Sequence, residues 1–301
     1  MPEHGNPSVR RRRLAAELRR LRERAGITGD QASDRLGWSG SKLSRIENSK
    51  IGVKREDLQL LLDLYRVSEP HRSDVLALAR ESTKADVLEA VGNRLPGDYA
   101  EFLQSEAEAE SVWNWEPQNV PGLLQTEAYA RAIMLKWVSM FTLPPGEIDR
   151  RVDTRRLRQQ VLVRDPPLKL SFVIDESVLY RKQGNAAVMR EQIEHLISSS
   201  TLPHIDLRVL PLDGDHPIGS GAFNYMSFSQ VHDVPLHDIV TYEHLTGTDY
   251  VEAEEDTYKY RVVFEWLKNS ALSPEETREQ LERAARDTWG LGGAHLSQAP
   301  R

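Results

Sequence analysis

The 301-residue sequence has no cysteine, which removes disulfide frameworks, thiol nucleophiles and thiolate zinc sites together. Its nine histidines show no His-Glu-x-x-His pattern and no other metal-ligand spacing, so neither a metal nor a cofactor is expected. No apolar run approaches the roughly 18 residues that a membrane-spanning helix needs. The opening stretch, 1–9, is polar and leads into arginines without the apolar segment of a secretory signal, so the expectation is a cytoplasmic protein with no membrane contact. Aromatic residues make up only 7% of the chain, and the places where Trp and Tyr gather are therefore informative.

What is present is an ordinary globular composition, 39% hydrophobic and 28% charged, long enough for two domains. The net charge of −7 is unevenly spread. Residues 1–66 hold 15 Lys+Arg against 9 Asp+Glu, a net of +6, which leaves 24 against 37, or −13, for the rest. A basic segment joined to an acidic one is the pattern of a nucleic-acid-contacting domain attached to a domain with another task.

Leu14, Leu18, Leu21 and Ala25 recur at i, i+4, i+7 and i+11 and draw an apolar stripe on a helix ending at Gly26, with arginines opposite. Thr28 is placed to cap a short second helix that turns Ala32 and Leu36 inward and stops at Gly37. Ser39 caps a third, with Leu43 and Ile46 inward and Ser41, Lys42, Ser44, Arg45 and Asn48 outward. Two short helices joined by a tight glycine turn form a helix-turn-helix.

Gly26-Ile27-Thr28, Leu36-Gly37-Trp38-Ser39 and Lys42-Leu43-Ser44-Arg45-Ile46-Glu47-Asn48 resemble the lambda-repressor-like, xenobiotic-response-element family of transcription regulators over about residues 14–67. The resemblance implies an all-α domain of about five helices, the last two drawn from Leu58, Leu61, Leu62 and Tyr65 and from Val75, Leu76 and Ala79. It also implies double-stranded promoter or operator DNA as partner and a homodimer on paired half-sites about one helical turn apart. The second helix of the motif would enter the major groove, where all four base pairs differ in donors and acceptors. Ser41, Lys42 and Ser44 would then meet base edges and Arg45 and Asn48 phosphate or sugar, while Thr28 and Ser39 flank phosphates at the helix starts. Arg10, Arg11, Arg12 and Arg13 are expected to track the backbone or enter a minor groove as an arm, the alternative being a solvated helix start. Two positions depart from the family pattern. Gly29 stands where a phosphate-clamping Gln is common, which leaves that contact missing or moved to Asp30 or Gln31, and Ser33 stands where Ala is usual.

Beyond residue 100, Trp113 and Trp115 point the same way on a predicted strand, as a core wall or, with Leu123, Leu124 and Gln125, as a partner-binding surface. Thr126 caps an amphipathic helix, and a basic helix over 148–163 precedes a strand of alternating Leu168, Leu170, Phe172 and Ile174. A helix over 189–198 follows, then period-two runs at 205–209, 223–227 and 239–243 and helices over 257–267 and 275–286. The expectation is an α+β domain with a mostly antiparallel sheet backed by helices on one side. Val120-Pro-Gly-Leu-Leu-Gln-Thr-Glu-Ala-Tyr-Ala-Arg131 and, more weakly, Asp175-Glu176, Val209-Leu210-Pro211 and Ala271-Leu272-Ser273-Pro274 resemble the antitoxin-like C-terminal domain of the actinobacterial WhiJ-like regulators. That resemblance implies a small protein partner, encoded nearby, which modulates DNA binding.

The expected layout is a helix-turn-helix domain at 9–84, a linker at 85–100, a regulatory domain at 101–286 and a flexible tail at 287–301. No catalytic residues are expected, and the chain is read as a nucleoid-associated regulator and not an enzyme. Two alternatives stay open: a DNA-targeted hydrolase built on Asp213, Asp215, His216 and Ser220, and a small-molecule sensor with its pocket beside Trp113 and Trp115.

Overall fold

The structure, a computed structural model, describes residues 9–81, 97–140, 146–217, 221–229 and 237–290. Most of the expected linker, most of the expected tail and Ser220 lie outside the described residues. The chain divides into two compact units.

The first unit holds helices α1 (Val9–Arg24), α2 (Gly29–Leu36), α3 (Gly40–Glu47), α4 (Arg55–Leu64), α5 (His71–Glu81) and α6 (Gly97–Glu108). Leu14, Leu18 and Leu21 are buried along α1, whereas Ala25 lies past the helix end and is exposed. Gly26 takes a left-handed φ of +69°, and the N–H groups of Gly26 and Ile27 donate back to the carbonyls of Glu23 and Arg22. Gly37 closes α2 in the same manner, its N–H and that of Trp38 donating to Asp34 and Ser33. α1 and α2 are thus both terminated by a conformation that a Cβ would strain. Leu43 and Ile46 of α3 join Leu58, Leu61 and Leu62 of α4, and Tyr65 just past its end, in one core. From α5 the core takes Val75 and Leu78, with Leu76 and Ala79 at its edge, which moves the buried stripe of that helix off the expected Val75, Leu76 and Ala79.

Ser33 is 2% exposed and its Oγ has no hydrogen-bond partner. The side chain fits the close α2 packing, but a desolvated hydroxyl without a partner costs about 1–3 kcal/mol. Ser33→Ala is expected to stabilise this unit by about 1 kcal/mol, read as a higher urea midpoint at an unchanged slope. A lower midpoint would mean that the hydroxyl is bonded in solution.

The sheet has six strands in the order β3-β2-β1-β4-β5-β6: β1 (Ser111–Glu116), β2 (Lys169–Asp175), β3 (Ile205–Leu210), β4 (Phe223–Ser227), β5 (Ile239–His244) and β6 (Gly247–Val251). β1 pairs in parallel with β2, and β2 in parallel with β3. β4 runs antiparallel to both β1 and β5. The expectation of a mostly antiparallel sheet is therefore corrected: the sheet is mixed. The reason lies in the connections, since α7 (Glu127–Met140) and α8 (Glu147–Arg158) separate β1 from β2, and α9 (Ala186–Ser199) separates β2 from β3. Crossovers of that length return a strand in the same direction.

β2 is buried on both faces, with Phe172 at 2%, and Val173 and Ile174 at 0% exposure. The expectation of helices on one side only is corrected with it, because a strand with no wet face needs cover on each. On one face Trp115, Val173, Leu210, Phe223, Tyr225 and Val240 pack with Phe264 and Leu267 of α10 (Glu254–Ser270). Trp113 stacks on Tyr225 and Phe264 at centroid distances of 5.1 and 5.3 Å, so the pair of tryptophans forms the core wall. The last helix, α11 (Pro274–Asp287), starts with a capping box between Ser273 and Glu276 and anchors β3 by the Thr277 hydroxyl, which accepts from Val209 N–H at 3.0 Å.

Candidate nucleic-acid interface

The start of α2 is closed by its own side chains. Thr28 Oγ1 accepts from Gln31 N–H at 3.2 Å, and Gln31 Oε1 accepts from Thr28 N–H at 3.0 Å. Gln31 is thereby committed to a reciprocal cap, although its site remains exposed, as do Thr28 and Asp30. Gly29 faces open space where a side chain would project. At the start of α3, Ser39 Oγ accepts from Lys42 N–H at 3.3 Å and lies 3.1 Å from Ser41 Oγ. The two hydroxyls and the first N–H groups of the helix make a surface suited to an anionic oxygen.

Leu43 and Ile46 fix the rotation of α3, and that rotation puts Ser41, Ser44, Arg45 and Asn48 on the exposed side. Arg45 Nε donates to the Ser41 carbonyl at 3.2 Å, and Asn48 Nδ2 donates to the Ser44 carbonyl at 2.7 Å. Lys42 differs from its neighbours. Its Nζ lies 2.8 Å from Asp57 Oδ1 of α4 and 3.8 Å from the centroid of the Trp38 ring, a cation held by a carboxylate and an aromatic face together.

The far end of α3 is held by Arg22 of α1. Its guanidinium forms a two-pronged pair with Glu47, at 2.8 and 2.9 Å, and donates from Nη1 to the Ile27 carbonyl at 3.0 Å. The acidic residue of α3 is thereby neutralised from inside the domain, and it adds no free negative charge to the outward face.

The arginine run has a different fate from an extended arm. All four residues sit in the opening turns of α1, and Arg13 is only 5% exposed. Arg11 and Arg12 are half-buried, and the side chain of Arg10 lies outside the described residues. An arm reaching into a minor groove is incompatible with a helical segment carrying a buried guanidinium. Three cations that sequence reasoning passed over are exposed, Lys50 and Lys54 on the α3–α4 connection and Arg55 at the start of α4. Their closeness in sequence just after the presented helix was the available signal.

In the second unit, the residues suggested as a partner surface are core. Trp115 is 2%, Leu123 3%, Leu124 0% and Gln125 5% exposed. Gln125 Nε2 donates to the Val120 carbonyl at 2.7 Å, Arg155 bonds its Oε1, and Gln192 Nε2 donates to the Leu124 carbonyl at 2.7 Å. The segment that looked most distinctive is a buried loop whose polar groups are satisfied internally, and it offers no docking face. Exposed apolar residues lie elsewhere, on several elements; among them Tyr258, Val262 and Trp266 follow one another at helical spacing along α10, with Arg261 5.2 Å over the Tyr258 ring.

Asp175 and Glu176 do not act as a pair, but Asp175 Oδ2 meets His216 Nε2 at 2.9 Å, while His216 Nδ1 lies 2.8 Å from the Gly214 carbonyl. Both ring nitrogens are engaged. Glu116, at the end of β1, is half-buried; desolvation and the neighbouring Glu243 carboxylate push its carboxyl up to about 8, against the pull of Asn119 N–H and Arg155. Among the described residues, no group of three or more His, Asp or Glu side chains is arranged to hold a metal ion, and no helix is long and apolar enough to cross a membrane.

A helical core presenting the exposed face of a capped helix across a glycine turn defines a helix-turn-helix DNA-binding domain, and residues 13–79 match a family model described as a helix-turn-helix domain. Residues 99–283 match the family described as "Domain of unknown function (DUF5753)". That match spans more than half of the sequence, and the chain belongs to this family. No curated protein and no solved structure matches it.

Proposed function

We propose that the chain is a sequence-specific transcription regulator of the xenobiotic-response-element type, working as a homodimer on promoter DNA in the cytoplasm, with a non-catalytic C-terminal domain. The observation that carries this reading is the outward face of α3. Ser41, Ser44, Arg45 and Asn48 stand exposed on a helix whose rotation is set by Leu43 and Ile46 and whose end is held by Arg22. Ser41 and Ser44 approach base edges, Arg45 and Asn48 the sugar-phosphate backbone, and Lys50, Lys54 and Arg55 add phosphate contacts beside them.

The test is binding of the purified full chain to promoter fragments recovered by genome-wide mapping, followed by fluorescence anisotropy. Ser44→Ala is expected to relax discrimination between operator and bulk DNA, whereas Arg45→Ala weakens both and lowers the salt slope by about 1. If no promoter fragment is preferred over bulk duplex at moderate salt, the reading fails.

Within the same reading, the C-terminal domain belongs with the antitoxin-like domains of the WhiJ-like regulators and receives a small protein encoded nearby. The Tyr258, Val262 and Trp266 stripe with Arg261 supports this, because Tyr, Trp and Arg are the residues enriched in binding hot spots. Trp266→Asp is expected to abolish co-purification with the product of an adjacent gene while DNA binding persists. The hydrolase alternative is disfavoured by His216: with one nitrogen on Asp175 and the other on the Gly214 carbonyl, the imidazole has none left to take a proton from a nucleophile.

A further inference from the structure

Lys42, expected from the sequence at a base edge, is half-buried, whereas Ser41, Ser44, Arg45 and Asn48 stand exposed. Its ammonium is held by two groups whose own positions do not depend on it. Trp38 follows the glycine turn after α2, where its N–H donates to the Ser33 carbonyl at 2.8 Å and its side chain packs against the core of the unit. Asp57 sits in the first turn of α4, whose rotation is set by the buried Leu58, Leu61 and Leu62. Lys54, at the N-cap position of α4, makes no side-chain cap bond, so the free N–H groups of that turn favour a nearby carboxylate. Asp57 and Trp38 are the fixed ends of the arrangement, and the flexible stem belongs to Lys42.

The pair is partly shielded, with side-chain exposures of 31% for Lys42 and 17% for Asp57, and is screened by salt less than a fully exposed pair. Among the described residues no second cation is paired with Asp57. A backbone phosphate that pulled Lys42 away would gain one ion pair and lose another, and it would face the carboxylate left behind. Such a contact adds little to binding. A guanine edge is a different partner: it carries no formal charge to repel Asp57, and it offers acceptors at O6 and N7. The ammonium, with three donors, can serve it without the repulsion that a phosphate meets.

We propose, on the reading that α3 enters the major groove, that Asp57 is a positioning residue for DNA specificity. By holding Lys42 beside the Trp38 ring, it withdraws that cation from backbone phosphates and reserves it for a guanine edge in the operator.

The experiment is fluorescence anisotropy of the purified full chain on its mapped operator and on a random-sequence duplex of equal length, each over a range of salt. Asp57→Asn keeps the size of the side chain and removes its charge. It is expected to tighten binding to random duplex by about tenfold and to steepen the salt dependence there by about 1, the mark of one added phosphate contact. Operator affinity is expected to rise by less than about twofold, because Lys42 is already engaged there, so discrimination falls by about fivefold. A gain in affinity cannot be ascribed to unfolding. Adding Lys42→Ala to Asp57→Asn is expected to remove the gain and the extra slope. A gain that survives Lys42→Ala overturns the proposal, since Asp57 would then act as a plain repulsive charge, and so does an equal gain on operator and random duplex. A parent that prefers its operator, with Asp57→Asn unchanged on random duplex, overturns this proposal and leaves the reading of α3 standing. A parent that prefers no promoter fragment overturns both.

Discussion

Arg22→Ala is expected to destabilise the helix-turn-helix unit by about 3 kcal/mol and to release the end of α3. The side chains of Arg22 and Glu47 are only 12% and 8% exposed. Removing one leaves the other as a nearly buried charge without a counter-ion, which costs far more than a surface pair is worth. The Ile27 carbonyl loses its donor in the same step. Urea denaturation of the full chain reads the loss. The double variant Arg22→Met with Glu47→Leu is expected to recover most of it, because no orphan charge remains. A loss below about 1 kcal/mol for Arg22→Ala would mean that water screens the pair as it does on a surface.

The second large effect concerns pH. Glu116 is raised from 4.5 to about 8 by desolvation and by Glu243, so the folded protein keeps its proton through a range where the unfolded chain has lost it. Between those two values the native state binds more protons than the unfolded one, and this group makes stability fall as pH rises. Below about 4.5 and above about 8 the slope from it vanishes. Glu116→Gln keeps the shape and removes the ionisation. It is expected to raise stability above pH 8 by a few kcal/mol and to flatten the decline across the window, measured by denaturation at several pH values. An identical pH profile in parent and variant would show that the carboxyl is already ionised at neutrality.

The parts legible from sequence were those decided within a turn or two of chain. Gly26 and Gly37 end helices because only glycine takes left-handed φ cheaply, and Thr28 and Ser39 start them because a hydroxyl serves the first free N–H groups. Leu43 and Ile46 then orient α3, and the outward set follows. What escaped is non-local. Lys42 with Asp57 and Arg22 with Glu47 join residues on different helices, and no spacing rule announces them. The buried state of Leu123, Leu124 and Gln125 depends on Arg155 and Gln192 arriving from other helices. The parallel pairing of β1 with β2 was hidden because the period-two pattern gives a strand's faces but not its neighbours or direction. β6 was missed because none of its residues is buried, so it carries no alternation to detect.

The grip on Lys42 has a bearing on how the protein would search a genome. An ammonium already satisfied by Asp57 and the Trp38 ring gives little to a passing phosphate, because leaving means forfeiting both holders. Only a site offering comparable compensation at that spot would draw it out. Random duplex would therefore be met without help from this cation, and only a site that draws it out would gain the extra contact.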